Sequence, residues 1–535
     1  MKSLSQHPQI VTSPTAELPG FHTRYNLVEA LLMRHLENGR GDDPALVWDS
    51  LIISYSQLLT GVACARALLK AEGIGRSDRV GLIVTDVPAF VYLLLAAMSL
   101  GAIAVPISPK HNVADAHEML RHVGASIVFV IDELAAAHSE SQSERNPQLS
   151  VVAVTPTLND AHSSSGTEMF EPEVTVGGDI LYLLFSSGTT GRPKAIQRRH
   201  ADIEHTALAF GDDVLMMRRQ DRVLAVPKLT FGYALAGNLL FSLLRGGASI
   251  LVPAASTAEI MLAAIRRHRP TIFLAQPRML AELSELIREP AEVRTIRATV
   301  SAGDVLSEAV RERWTEKTGL EIVDGFGSTE VGHIFLCNTG AARPRDSVGT
   351  LLRGYEAKIV GENGATLSDG NPGSLCIRGA SVTTGYWNEP ERTNPTFLED
   401  WFRSDDLFVR KNSHYFYAGR RDDMIKTGCG EWIAPHHLEN VLLRAAGVRD
   451  CAVVGAHDER DVVRVKACIV REQTAEPDRE LAQRLMRLPA QEWPAMDHMR
   501  VHMIEFLDSI PRSVNGKIQR HRLAPKSLSE FAYEC

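Results

Sequence analysis

The chain has 535 residues, which at roughly 150 residues per domain makes three or four folding units and excludes a single small binding module. Its 57 Lys and Arg against 65 Asp and Glu leave a formal charge of −8, which argues against a dedicated nucleic-acid or polybasic membrane binder while allowing a local basic pocket for phosphates. A hydrophobic share of 44% with 23% charged residues is the balance of a soluble globular protein, and 7 cysteines without a CxxC pair fit a reducing compartment better than a disulfide framework or a structural zinc site.

The first 20 residues, rich in Pro and Ser, lack the apolar core of a signal peptide and read as a short disordered leader, so a cytoplasmic location is expected. From about residue 45 to residue 255, strand-length apolar runs alternate with helical segments: ARALLKAEGI, RVGLIV, AFVYLLLAAMSL, AIAVPI, ASIVFVI, DILYLLF and ASILVP. TIFLAQ and ATVSAG continue the series. Continuous apolar strands separated by helices predict parallel sheets covered on both faces. The longest apolar stretch, Phe90 to Ile107, is broken by Ser99 and Gly101 and stops at Pro106, so it reads as a buried helix running into a buried strand and not as a membrane span. Beyond about residue 345 the texture turns to short alternating strands and turns, as in GENGATLSDGNPGSLCIRG, which predicts a small β subdomain.

After the segment YFYAGRRDD, about 110 residues carry their own pattern of strands and helices, HHLENVLLRAAG, CAVVGA, VKACIV and a helix from about Asp478. The fold expected is therefore α/β: a large N-terminal domain over 1–420, made of two parallel-type α/β subdomains and a small β subdomain, and a mobile α+β lid over 421–535.

The sharpest local signal is Phe185-Ser-Ser-Gly-Thr-Thr-Gly-Arg-Pro-Lys194, directly after the apolar strand Ile180 to Phe185. Small hydroxyls and glycines at a strand end let backbone N–H groups wrap phosphate oxygens, and Lys194 adds a positive charge. It is not a Walker A loop, because the Gly-Lys-Ser/Thr ending is missing, which disfavours a P-loop kinase or GTPase. Four further segments follow in order: Asp324-Gly-Phe-Gly-Ser-Thr-Glu330, Trp401-Phe-Arg-Ser-Asp-Asp406, Gly419-Arg-Arg-Asp-Asp-Met-Ile-Lys426 and Ile510-Pro-Arg-Ser-Val-Asn-Gly-Lys-Ile-Gln-Arg520. Together these motifs resemble those of the adenylate-forming enzymes: acyl- and aryl-CoA synthetases, peptide-synthetase adenylation domains and luciferases.

That resemblance implies ATP, Mg²⁺ and coenzyme A as reactants. It makes Lys517, Glu330 and Thr189 catalytic, with Glu330 acting on Mg²⁺, and places Ser186, Ser187, Gly188, Thr190, Gly191 and Lys194 around the phosphates. Ser301, Ala302, Gly303, Asp324, Gly325 and Phe326, with Ser328 and Thr329 beside them, would line the nucleotide. Asp406 would hold the ribose hydroxyls, and Arg420 the ribose or phosphate. Asp422 falls at the family's hinge, about which the lid swings to exchange Lys517 for a thiol tunnel at Gly428, Cys429 and Gly430.

Amino-acid-activating relatives carry an Asp after the Phe of an F-D segment, and here Gly232 follows Phe231, so an α-amino acid substrate is not expected. The stretches Lys228 to Asn238 and Gly327 to Phe335 look most like benzoate-CoA ligases, which implies a flat pocket built from Phe231, Gly232, Tyr233, Gly327, His333 and Ile334 around a small aryl carboxylic acid. Glycine at 232 and 327 is expected to leave room for the ring.

Several positions depart from the family pattern. Ala195 replaces the usual glycine after the loop lysine, and Asp405 stands where Gly is usual, putting a second carboxylate beside Asp406. Cys429 is an extra residue in the tunnel turn, and the turn from Ala456 to Lys466 lacks a glycine. These last two lie on the thioester face, so the acceptor is left open between free CoA and the phosphopantetheine arm of a carrier protein. A non-catalytic adenylate-binding scaffold is opposed by the retention of Lys517, Glu330 and Asp406.

Overall fold

The structure, a computed structural model, describes residues 18–158, 170–186, 193–338, 343–427, 431–458, 462–472, 479–496, 498–513, 516–524 and 532–534. After a helical segment, Glu29–Met33 running into Arg34–Glu37, the first two strands form a hairpin, β1 (Pro44–Trp48) and β2 (Leu51–Ser54). Ser54 then caps the helix Tyr55–Ala71 by accepting from the Gln57 amide, while the Gln57 side chain returns to the Ser54 amide. A first sheet follows from β3 (Arg79–Ile83), β4 (Ile103–Pro106), β5 (Ile127–Ile131), β6 (Ser150–Val154), β7 (Ile180–Ser186) and β8 (Lys194–Arg199). Its order is β6-β5-β3-β4-β7-β8, parallel throughout except that β7 and β8 form an antiparallel pair.

The second sheet continues with β9 (Arg222–Ala225), β10 (Ala248–Leu251), β11 (Ile272–Ala275), β12 (Ala298–Ser301) and β13 (Ile322–Gly327), which are parallel to one another and to β1. Beyond these, β14 (Ile334–Asn338), β15 (Ser347–Leu351), β16 (Tyr355–Val360), β17 (Gly373–Gly379), β18 (Phe397–Leu398), β19 (Trp401–Lys411) and β20 (His414–Arg420) pair antiparallel. The turn-rich β region is thus hydrogen-bonded to the second α/β sheet through β13 and β14, one 14-stranded sheet among the described residues. The sequence pattern predicts the strands but not this continuity. It also misses the opening hairpin, which closes the far edge of the same sheet.

The helix Pro88–Ser99 is buried at every position, and β4 follows it, as the uninterrupted apolar run implies. One apolar cluster surrounds that helix with side chains from both sheets, among them Leu46, Leu82, Leu181 and Leu274. After residue 420 come a short hairpin of β21 (Ile425–Lys426) with β22 (Trp432–Ile433), the helix Pro435–Leu442, and strands β23 (Val448–His457), β24 (Val463–Arg471), β25 (Met503–Phe506) and β26 (Ala532–Glu534). Those last four form a separate sheet packed on its own apolar cluster with the helix Arg479–Glu492. No helix among the described residues is long and apolar enough to cross a membrane.

Candidate active site

A cavity of about 3280 Å³ runs between the carboxyl ends of the second sheet and the C-terminal segment. Strands β7 and β8 come to its rim, where the cross-strand partners Ser186 and Lys194 both line it. Ser187, Gly188, Thr189, Thr190 and Gly191 lie outside the described residues, as do Gly428, Cys429 and Gly430.

The floor comes from β12 and β13. Ser301, at the end of β12, is fully buried, and its hydroxyl has no hydrogen-bond partner among the described residues. Ala302 and Gly303 carry the chain on into the cavity wall, with Gly303 at φ +91°. Opposite Ser301 in register is Asp324, held by Arg311 at 3.1 Å. Burial pushes the Asp324 carboxyl up to about 7 despite the pull of Arg311 and Arg343. Gly325, Phe326 and Gly327 complete β13, with the Phe326 ring edge-on to Phe335 and Phe408.

Next in the chain, Ser328 accepts from the Val331 amide and so shapes the turn that carries Thr329 and Glu330 into the cavity. Tyr386 donates its hydroxyl to Glu330 Oε1 at 3.2 Å. Burial and that carboxylate push the Tyr386 hydroxyl far up, so it keeps its proton. Arg198, 1% exposed, donates to the Thr329 carbonyl at 2.7 Å and to the carbonyls of Glu330 and Ser381. The same guanidinium pairs with buried Asp202 at 3.6 Å. Gly332, at φ +107°, is what lets it approach, since a Cβ there would lie 2.9 Å from Arg198. The motif reading misses both Arg198 and Tyr386.

Asp406 on β19 and Arg420 on β20 are register partners, with guanidinium and carboxylate 3.8 Å apart. Burial raises the Asp406 carboxyl, while Arg420 and Lys517 lower it. Asp405, about half exposed, lines the same cavity and meets the same Arg420 guanidinium at 3.5 Å. The second carboxylate that the sequence sets beside Asp406 is therefore paired and partly solvated. Asp422 lies in the 3₁₀ turn Arg421–Asp423 that joins β20 to the C-terminal segment.

Lys517 reaches the cavity from a tight turn. The Ser513 amide donates to the Lys517 carbonyl, the Gly516 amide to the Ser513 carbonyl, each at 2.8 Å, and Gly516 takes φ +82°. Arg512 clamps the turn from behind with both oxygens of Asp450 at 3.0 Å. On the far side Arg520 pairs with Glu439, with Asp423 at 3.5 Å, and with the Val453 carbonyl at 3.0 Å. The turn is thus pinned between arginine clamps, and its ammonium is close enough to Asp406 to shift that carboxyl.

At the cavity's inner end, Phe231 precedes the helical turn Gly232–Ala234. Tyr233 donates to the Val300 carbonyl at 3.3 Å, and its own carbonyl faces His333 Nε2 at 3.3 Å. His333 is 4% exposed and ringed by Phe210, Tyr233 and Phe241 at 4.9 to 5.6 Å; burial pushes it down to about 4, so it is neutral. Its Nδ1 has no hydrogen-bond partner among the described residues. Ile334 begins β14 and is buried. Gly232 leaves space as expected, a Cβ there meeting only Leu184 Cδ1 at 3.3 Å. At Gly327 the reason differs: a Cβ would stand 2.5 Å from the His333 carbonyl oxygen, so the bulge between β13 and β14 itself demands glycine.

The arrangement sets the cation of Lys517, the carboxylates of Glu330 and Asp406 and the aromatic side chains of Phe231 and Tyr233 around one space. Residues 33–387 match the family described as AMP-binding enzyme, and residues 437–517 match the AMP-binding enzyme C-terminal domain. The chain is 33% identical over 531 residues to the benzoate–CoA ligase of Thauera aromatica, an overlap of 98% of this chain and 99% of that one. Among solved structures, the anthranilate CoA ligase AuaEII in complex with anthranoyl-AMP superposes with a TM-score of 0.88 at 31% identity, over 94% of this chain and 96% of that one. A benzoate CoA ligase from Burkholderia xenovorans LB400 gives 0.86 at 30% identity, over 94% and 100%. A family match over well more than half of the chain and the cavity's donor set agree: the chain belongs to the AMP-binding enzyme family.

Proposed function

We propose that this protein activates a benzoate-like aryl carboxylic acid with MgATP and transfers the acyl group to coenzyme A, releasing AMP and pyrophosphate. The observation that carries the reading is a single cavity in which Lys517 and Asp406 face each other while Phe231, Tyr233 and His333 line the inner end. The relatives named above, which act on benzoate and anthranilate by their names, support the aryl acid.

In the first half-reaction a carboxylate oxygen of the acid attacks the α-phosphorus in line, and pyrophosphate leaves with the bonding pair. Lys517 offsets the charge that gathers on the α-phosphate and orients the carboxylate. Glu330 holds the substrate's Mg²⁺, with the phosphate hairpin and Lys194 on the β- and γ-phosphates. Asp406 accepts from both ribose hydroxyls, and Arg420 opposes the rise that burial imposes on its carboxyl. The aryl ring lies in the pocket of Phe231, Gly232, Tyr233, Gly327, His333 and Ile334. There a neutral His333 adds a hydrogen-bonding edge without a charge that would compete with Lys517 for the carboxylate. In the second half-reaction the lid, 421–535, turns about Asp422, the CoA thiol gives up its proton to water, its sulfur attacks the acyl carbon, and the C–O bond breaks with its pair leaving on the AMP phosphate.

The test is pyrophosphate release from MgATP across benzoates, cinnamates and medium-chain fatty acids, each with and without CoA. An aryl acid is expected to give release that turns over only with CoA. One burst per enzyme that CoA leaves unchanged overturns CoA as acceptor, and strongest release with a fatty acid overturns the aryl pocket.

A further inference from the structure

Between the Glu330 carboxylate and the ammonium of Lys194 stands a side chain that no motif contains. Tyr386 gives its only hydroxyl proton to Glu330 Oε1 at 3.2 Å, and its own hydroxyl oxygen accepts from Lys194 Nζ at 3.5 Å, with that ammonium 4.7 Å from the ring centroid. Opposite charges that both belong to a phosphate site are thereby bridged through one neutral group. A direct Glu330–Lys194 pair would satisfy each with the other and leave neither for cation or phosphate.

The ring is held from every side. Tyr386 is 4% exposed, and its amide donates to Thr393 Oγ1 at 3.0 Å. Its backbone bridges Ile196 on β8, and the next amide, of Trp387, donates to the Ala195 carbonyl at 2.8 Å. Phe397 packs edge-on against it at 5.5 Å. The same stretch also fixes the Glu330 backbone, because the Thr383 amide donates to the Glu330 carbonyl at 2.8 Å. A tyrosine locked this firmly is a preorganised spacer.

We propose that Tyr386 is a positioning residue for the MgATP half-reaction: it aims the Glu330 carboxylate at the metal and holds Lys194 apart from it for the phosphates. This rests on the reading of Glu330 as the Mg²⁺ carboxylate. The experiment is a calorimetric titration of ATP into the full-length protein, with Mg²⁺ and again with EDTA, for wild type, Tyr386→Phe and Glu330→Gln. Phe keeps the ring, its packing and the aromatic face beneath Lys194, and removes the hydroxyl that joins Lys194 to Glu330. Tyr386→Phe is expected to weaken MgATP about 10-fold, the worth of a hydrogen bond to a charged group, and to change ATP binding in EDTA by less than about 2-fold. Thioester formation from supplied benzoyl-adenylate should be unchanged.

Equal weakening of both titrations by Tyr386→Phe would make the residue a packing element and overturn the proposal. So would no effect of Tyr386→Phe where Glu330→Gln abolishes the gain from Mg²⁺. If Glu330→Gln itself leaves that gain intact, the metal reading of Glu330 fails and takes the proposal with it, a result distinct from the other two.

Discussion

Residues 232 and 327 are both glycine in the pocket proposed for the acid, yet the contacts around them are of different kinds. Alanine at 327 would press its methyl into the His333 backbone at 2.5 Å, and a β-bulge cannot move aside as a rotamer can. Alanine at 232 would meet only the flexible end of Leu184 at 3.3 Å and would project where the substrate ring is proposed to lie. Gly327→Ala is therefore expected to cost about 1–3 kcal/mol of stability, measured in urea unfolding. Gly232→Ala should stay within about 0.5 kcal/mol of wild type and raise the KM for benzoate about 10-fold, the worth of a methylene in a filled pocket. The opposite pattern, a destabilised 232 variant with unchanged KM, would move the ring elsewhere. The same scale shows what a sequence can disclose. Lys517, Asp406 and Glu330 are legible because each sits in a contiguous motif. Arg198, Tyr386 and Asp86 are not, because each works by touching a segment far away in the chain, and their neighbours in sequence carry no trace of that partner.

Among elements, the segment from Lys228 to Tyr233 shows how the two sheets jointly place the pocket. Asp86, just past β3 in the first sheet, accepts the Leu229 amide at 3.0 Å, while Lys228 donates to the Val252 and Ala254 carbonyls past β10, each at 2.6 Å. The segment that presents Phe231 and Tyr233 is thus tied to both sheets. Burial pushes the Asp86 carboxyl from its ordinary 3.8 up to about 6, with Lys228 opposing the rise. The folded state therefore prefers the neutral acid. Its contribution to stability is complete below pH 3.8, declines as pH rises through about 6, and is lost at neutral pH, where the buried charge is a net cost. Asp86→Asn keeps an oxygen for the Leu229 amide and removes that cost. It is expected to exceed wild type in stability by on the order of 3 kcal/mol near neutral pH, with the gap closing toward about pH 4 in urea unfolding followed across pH. A constant gap would mean that the carboxyl titrates alike in both states. Beyond the opening hairpin, which it misses, the apolar patterning makes the main α/β elements legible, down to the fully buried helix Pro88–Ser99. Partner choice is not: nothing local in Pro44–Trp48 tells that it lies parallel to Ala248–Leu251, because strand order is settled by which apolar faces cover each other.

For the whole molecule, the decisive feature is that Lys517 belongs to a segment with its own sheet and its own apolar cluster, while every other charged group proposed for the nucleotide belongs to the larger body. At the seam between them His436 packs on Tyr417 with centroids 5.0 Å apart, while Arg520 fixes the Lys517 turn within its own segment, to Glu439 and to Asp423 beside the proposed hinge. A cation delivered by a separate body can be withdrawn after the adenylate forms, which frees the same space for a thiol. Lys517→Ala should then separate the half-reactions. Adenylate formation is expected to fall about 100- to 1000-fold, as for loss of one charge-stabilising donor at a transition state. Thioester formation from supplied aryl-adenylate and CoA should stay within about 3-fold, since the interaction removed is made only in the first transition state. Rapid-quench measurement of each step decides it. Equal loss in both steps would place Lys517 at a fixed site shared by the two reactions, and the 421–535 segment would then be a static cover whose hinge at Asp422 has no work to do.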